Sequence, residues 1–327
     1  MTRISLGILI VLQLACTVAE HPSDSADTGS DSGADSPAEF GTGTETDQLP
    51  VFFRASDVDD AQLAMAEADY AVASEAWGNF GPLEYWIVGT DSEAAAELDA
   101  EYCDHRVEMD PSLTDEYVEH CLDRGYDFED YAQDGGAALS IQHGEDDEYS
   151  VFVITLASKY PFPDESDYTV VGYHEYFHVV QSAHIATRDY EERQTLMVEN
   201  PWWSEGGASY MGELLYSRQP GVAPGYLAER MTWKMQTASQ LEEGESIADI
   251  SYGERAMVAY ELGAWFIAFL IDRVGEEVYL NDFYDDLNSL DFEGAFVANF
   301  GMSSEEMLAD FHAFLELPLS EQLAIIP

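Results

Sequence analysis

Every strand-like run in this chain lies before residue 158, and from Val170 onward almost everything reads as helix. Pro82–Val88 (PLEYWIV), Ala137–Gln142 and Tyr149–Ala157 are the strand candidates, the last rich in β-branched and aromatic residues. Ser56–Trp77 has helical apolar spacing, with Ser56 as its candidate N-cap. Asp91–Cys103 is rich in Ala and Glu and reads as helix, and Thr114–Leu122 as a shorter one. The later helical pattern breaks at Pro201, Pro220 and Pro224. Strands first and helices afterwards predict an α+β fold: a small mixed sheet in the N-terminal half and a mostly α-helical C-terminal half.

Hydrophobic residues make up 46% of the 327, enough to bury a sizeable core. Acidic residues outnumber basic ones 65 to 12, a formal charge of -53, and the only lysines are Lys159 and Lys234. A surface this negative repels phosphate backbones and anionic lipid, which excludes nucleic acid as a partner. The same charge fits either a heavily solvated surface or a salt-rich medium whose counterions screen the self-repulsion.

Residues 1–19 read as an export signal, with a short positive start at Arg3 and an apolar stretch from Ile4 to Ala15. Two cleavage readings compete. Thr17-Val18-Ala19 resembles a small-residue signal-peptidase site, and Gln13-Leu14-Ala15-Cys16 resembles a loose lipoprotein box with Cys16 bearing the lipid. The protein is then secreted or a surface lipoprotein, touching a membrane only through that anchor. No later run is long enough to span a bilayer, and the most apolar, Tyr260–Ile271, has the length of a core helix. Residues 20–48 are rich in Ser, Asp, Gly and Thr and read as a flexible acidic linker. An N-terminal α/β part (49–148) and a helical part (149–327) follow. Export implies an oxidising compartment, which makes Cys103 and Cys121 natural disulfide partners. A zinc pair with His105 or His120 is the alternative, at a spacing that fits no common zinc module.

The chemistry centres on His174-Glu175-Tyr176-Phe177-His178. Residues four apart share one helix face, so both imidazoles can bind one metal ion. Glu175, offset by one position, can reach a water on that ion and act as general base. A catalytic zinc needs a third protein ligand and one open position. Glu205, in Pro201-Trp202-Trp203-Ser204-Glu205-Gly206-Gly207-Ala208-Ser209-Tyr210, is the candidate, and Glu213 is the fallback.

These two segments resemble the gluzincin metallopeptidases, in which a second helix opens with a Trp-x-x-Glu-Gly-x-Ala-type sequence and its Glu is the third ligand. HEYFHVVQ, with Gln181 on the metal-facing stripe, is similar to the HExxHxxQ variant of several bacterial gluzincin-like families. Tyr260-Glu261-Leu262-Gly263 looks like the Tyr-Glu-x-Gly segment of the aminopeptidase and leukotriene-hydrolase branch. There the Tyr hydroxyl stabilises the oxyanion, a role that falls here to Tyr260, with Tyr252 next in line. The resemblance covers Tyr149 to Phe314, roughly half the chain. It implies a thermolysin-like catalytic domain, one Zn2+ held by His174, His178 and Glu205, and a peptide or protein substrate. It also implies that the strand at Tyr149–Ala157 borders the cleft, where an extended peptide can add to the sheet. The rival is an inactive, surface-anchored binding or structural protein that keeps the fold.

There are departures. No Gly-x-Met-Glu-Asn segment is present, which argues against aminopeptidase activity. The gap from His178 to Glu205 is long, implying an insertion around His184–Asn200. Thermolysin-like members place an acid four residues after the ligand Glu to orient a histidine; here that position is Ser209, so the orienting group must come from elsewhere. His184, ten residues past His174, is expected at the surface or the helix end.

Overall fold

Two strands buried along their whole length organise the N-terminal half: β2 (Leu83–Val88) and β4 (Ser150–Ala157). The computed structural model describes residues 40–113, 115–123, 126–144, 149–158, 165–198 and 200–327, so the export signal, Cys16 and the linker up to residue 39 lie outside the described residues. β1 (Val51–Arg54) and β3 (Ala137–His143) complete a four-stranded sheet in the order β1-β2-β4-β3. β1, β2 and β4 are parallel, and β3 is antiparallel to β4. Helices on both faces explain why β2 and β4 are apolar rather than alternating. Tyr85 packs against Tyr70 of α1 (Asp60–Trp77), whose ring in turn meets Tyr176. Its neighbour Trp86 points the other way, against Tyr102 of α2 (Ser92–Met109) and Phe128 of a later helix.

α1 starts at Asp60 rather than near Ser56. Asp59 accepts from the backbone N–H groups of Ala61 and Gln62, while the Gln62 side chain accepts from the Asp59 N–H. This reciprocal capping box outcompetes a lone Ser, which sits in the preceding turn. α3 (Asp115–Leu122) is joined to α2 by the Cys103–Cys121 disulfide, so the zinc alternative for these cysteines falls. His105 faces Glu84 instead. α4 (Phe128–Asp134), capped by Asp127, and the four-residue β1 were not evident from periodicity, because both are too short to show a period.

Residues 40–48, assigned to the linker, pack on the body. The Gly43 N–H donates to the Ala183 carbonyl, Asn288 donates to the Gly41 carbonyl, and Asn79 donates to the Thr46 and Gln48 carbonyls. Phe40 packs on Phe152, so an aromatic anchor offsets the ordering of this polar stretch.

The second half is helical: α5 (Glu165–Ala183), α6 (Tyr190–Arg193) with a π-turn at Gln194–Val198, α7 (Pro201–Ser217), α8 (Tyr226–Lys234), α9 (Ala256–Val274), α10 (Phe283–Phe300), α11 (Ser304–Leu315) and α12 (Leu319–Gln322). Trp203 is the hub, packed among Phe266, Tyr279, Phe283, Phe292, Phe296 and Phe300. α9 is buried without interruption from Val258 to Leu270, so its apolar run is a core helix. Among the described residues no helix is long and apolar enough to cross a membrane. The chain is thus mixed α+β, with a small sheet ahead of a helical half.

Candidate metal centre

His174 and His178 project one turn apart from α5, and Glu205 projects from α7 just past its first turn. Pro201 at the helix start and the buried Trp202 and Trp203 anchor the beginning of α7 in the core. Three donor atoms converge. His174 Nε2 and His178 Nε2 are 3.1 Å apart, and each lies 3.2 Å from Glu205 Oε2. Four ligands placed tetrahedrally at about 2.0–2.1 Å from an ion are themselves roughly 3.3 Å apart, so this triangle has the size a zinc-type ion requires. The three residues form a group that can hold a metal ion. The histidine side chains keep 16% and 14% of their surface while Glu205 keeps 3%, so access is from the histidine side.

Behind His178 lies Gln181. Its Oε1 lies 2.8 Å from His178 Nδ1 and can only accept, so Nδ1 carries a proton and Nε2 is the nitrogen that a metal would take on displacing its proton. Gln181 Nε2 donates in turn to the Ser204 carbonyl at 3.0 Å. Tyr252 donates to Glu205 Oε1 at 3.1 Å and lies 3.2 Å from Ser204 Oγ, which makes it a clamp on the Glu205 carboxylate. Tyr260 is buried and its hydroxyl also bonds Glu205. Glu175 is buried beside the site and accepts from the Leu139 backbone N–H of β3.

The electrostatics follow from this crowding. Burial raises the Glu175 carboxyl, and the two histidines oppose it. Burial would lower His178, but the adjoining Glu205 carboxylate more than compensates and pushes it up to about 9. Burial raises Glu205, yet His178 and His174 together hold it well below the usual carboxylate range. Burial, with Glu205 second, keeps the Tyr260 phenol far above its ordinary value and therefore protonated.

Small residues on α7 let three helices converge here. A Cβ on Gly206 would fall within 2.5 Å of Gly263 on α9, and one on Gly212 within 3.2 Å of the His174 backbone nitrogen on α5. Glu213, the fallback ligand, is not at the centre. It points into a buried charge cluster, 3.0 Å from Arg230 and 3.3 Å from Lys234, which also reaches Glu261 at 3.4 Å. Two further expectations are corrected. β4 lies between β2 and β3 and has no free edge, so among the described strands β3 is the edge beside Glu175. His184 does end α5, but it is buried, donating from Nδ1 to the Val180 carbonyl against Phe80 and Tyr284. Burial lowers its pKa.

No family model, no curated protein and no solved structure matches this chain.

Proposed function

We propose that the chain is an exported zinc-dependent metallohydrolase of the gluzincin type that cleaves peptide bonds. His174, His178 and Glu205 would hold the ion and Glu175 would act as general base. The observation that carries this reading is the convergence of three donor atoms at 3.1–3.2 Å beside a buried carboxylate. Two imidazoles and one carboxylate form a donor set suited to zinc with a position left open.

Bound zinc supplies a Lewis acid that acidifies water and polarises a carbonyl. Glu175 then takes the proton of the attacking water and returns it to the leaving amine, tasks that its raised pKa suits. Tyr260, kept protonated by burial, donates to the oxyanion that develops on the scissile carbonyl. Because the Leu139 N–H points to Glu175, away from β4, the outward backbone groups of the strand recur at Ile141. An extended peptide laid along this edge would be held by main-chain hydrogen bonds with its backbone passing the site. The antiparallel edge strand, the helix with both histidines and the helix bearing the Glu support a thermolysin-like arrangement. The leader at residues 1–19, with or without a lipid on Cys16, and the disulfide support a place outside the cytoplasm.

Zinc counted per mature chain after dialysis tests this, beside His178→Ala and Glu175→Gln. About one zinc in the wild type, little in His178→Ala, and zinc without turnover in Glu175→Gln are expected. No tightly held metal in the wild type would overturn the hydrolase. Unchanged behaviour of Glu175→Gln in every functional assay would favour a binding protein on the same fold.

A further inference from the structure

Gln181 lies between the two helices whose alignment decides whether the three donor atoms meet. It is fully buried, and its amide has an acceptor end and a donor end pointing in different directions. Nε2 donates to the Ser204 carbonyl at 3.0 Å, with the Tyr284 hydroxyl 3.4 Å away. A backbone carbonyl can only accept, so Ser204 decides which end of the amide faces His178. Oε1, thereby turned to the ring, can only accept, so it decides which ring nitrogen carries the proton. The tautomer of a ligand on α5 is therefore set by the backbone of α7, at the residue immediately before the third ligand.

We propose that Gln181 is a positioning residue that couples the two ligand-bearing helices. It holds His178 in the Nδ1–H form and ties that ring to the Ser204–Glu205 backbone, so the His178 and Glu205 donor atoms are aligned before an ion arrives. The inference rests on reading the triad as a metal site. It assigns Gln181 the task that the acid four residues after the ligand Glu performs in the resembled family, from the histidine's own helix instead. The local packing suits the role. A Cβ on Gly207 would come within 2.4 Å of the Tyr279 hydroxyl and 3.0 Å of Gln181 Nε2, so the glycine leaves room for both side chains beside α7.

The test uses the mature chain as wild type, Gln181→Met and Gln181→Glu. Zinc affinity is read by chelator competition, and the His178 ring by nitrogen-15 NMR of the zinc-loaded protein. Met keeps the side-chain length and loses both bonds. Its affinity should fall by roughly 10–100-fold, the usual cost of losing a partner behind a metal ligand, and the slowly exchanging Nδ1 proton should disappear. Glu keeps the acceptor and loses the donor, so it should restore the Nδ1 proton without restoring full affinity. Melting curves of the metal-free variants report whether they fold. The wild-type spectrum decides the matter even if the variants do not. A zinc-bound His178 ligated through Nδ1, or with a freely exchanging Nδ1 proton, overturns the proposal. Wild-type affinity in folded Gln181→Met overturns it too while leaving the metal site standing. A wild type that takes up no zinc overturns both.

Discussion

Gly206 and Gly263 put α7 and α9 in direct backbone contact: a Cβ on Gly206 would lie 2.5 Å from the Gly263 carbonyl carbon, and one on Gly263 would lie 2.3 Å from the Trp202 oxygen. Glu205 immediately precedes one glycine and Tyr260 lies three residues before the other, so this contact sets the distance between them. Gly206→Ala and Gly263→Ala should each destabilise the fold by about 1–3 kcal/mol, the usual cost of overpacking a close core contact. Zinc affinity should fall as well. Urea melts and chelator competition measure the two effects, and a stable variant with unchanged affinity would show that the helices can move apart freely.

The two tyrosines at Glu205 should separate by function. Tyr252→Phe removes one hydrogen bond to Glu205 and should weaken metal binding by about 0.5–1.5 kcal/mol while the loaded protein keeps most of its turnover. Tyr260→Phe should cost zinc affinity no more than Tyr252→Phe does, yet lose about 10²–10³ in kcat at saturating zinc, as when an oxyanion donor is removed. Steady-state kinetics on zinc-saturated variants distinguish them; the reverse pattern would exchange the roles.

Metal-free protein should show an unusual dependence on pH. His178 is raised to about 9 from an ordinary 6.5, so its contribution to stability is fully present below 6.5 and lost as pH rises through about 9. Glu205 is depressed, so its contribution is present above the ordinary carboxyl value and is lost as pH falls into the acid range. The urea midpoint of chelator-treated protein should therefore decline between pH 6.5 and 9. Zinc competes with the same proton, so zinc affinity should rise over that interval. A flat midpoint would mean that His178 is neutral in the metal-free fold.

Lys234 lies buried between Glu213 and Glu261, linking α7, α8 and α9 behind the site. Lys234→Met leaves two carboxylates short of a cation and should cost about 3–5 kcal/mol. Replacing Lys234, Glu213 and Glu261 together by apolar residues of similar size should recover much of that loss. Equilibrium unfolding of both proteins measures it; an undisturbed single variant would mean that the carboxylates take up protons or water at little cost.

With a formal charge of -53, the folded chain repels itself, and salt screens that repulsion. The melting temperature should climb between low and molar sodium chloride. A curve insensitive to salt would mean that local ion pairs already balance the surface.

Much of this arrangement is written in short stretches of sequence. The His174–His178 pair needs only the helical period, the core character of α9 shows in its unbroken apolar run, and the order of strands before helices gives the α+β class. The tertiary structure decided what depends on partners distant in the chain. Glu205 and Glu213 are both acids on one largely buried helix, and only the rotation of α7 against α5 and α8 turns one to the histidines and the other to Lys234. Tyr252 becomes a clamp because the loop before α9 folds back over Glu205, a placement with no local period. Among the described strands the edge beside Glu175 is β3 rather than β4 because strand order is set by pairing between segments far apart, and β4 is covered on both sides by β2 and β3. Gln181 was visible on the metal-facing stripe, but its role depends on a carbonyl 23 residues away, which only the packing of α5 on α7 brings within hydrogen-bond reach.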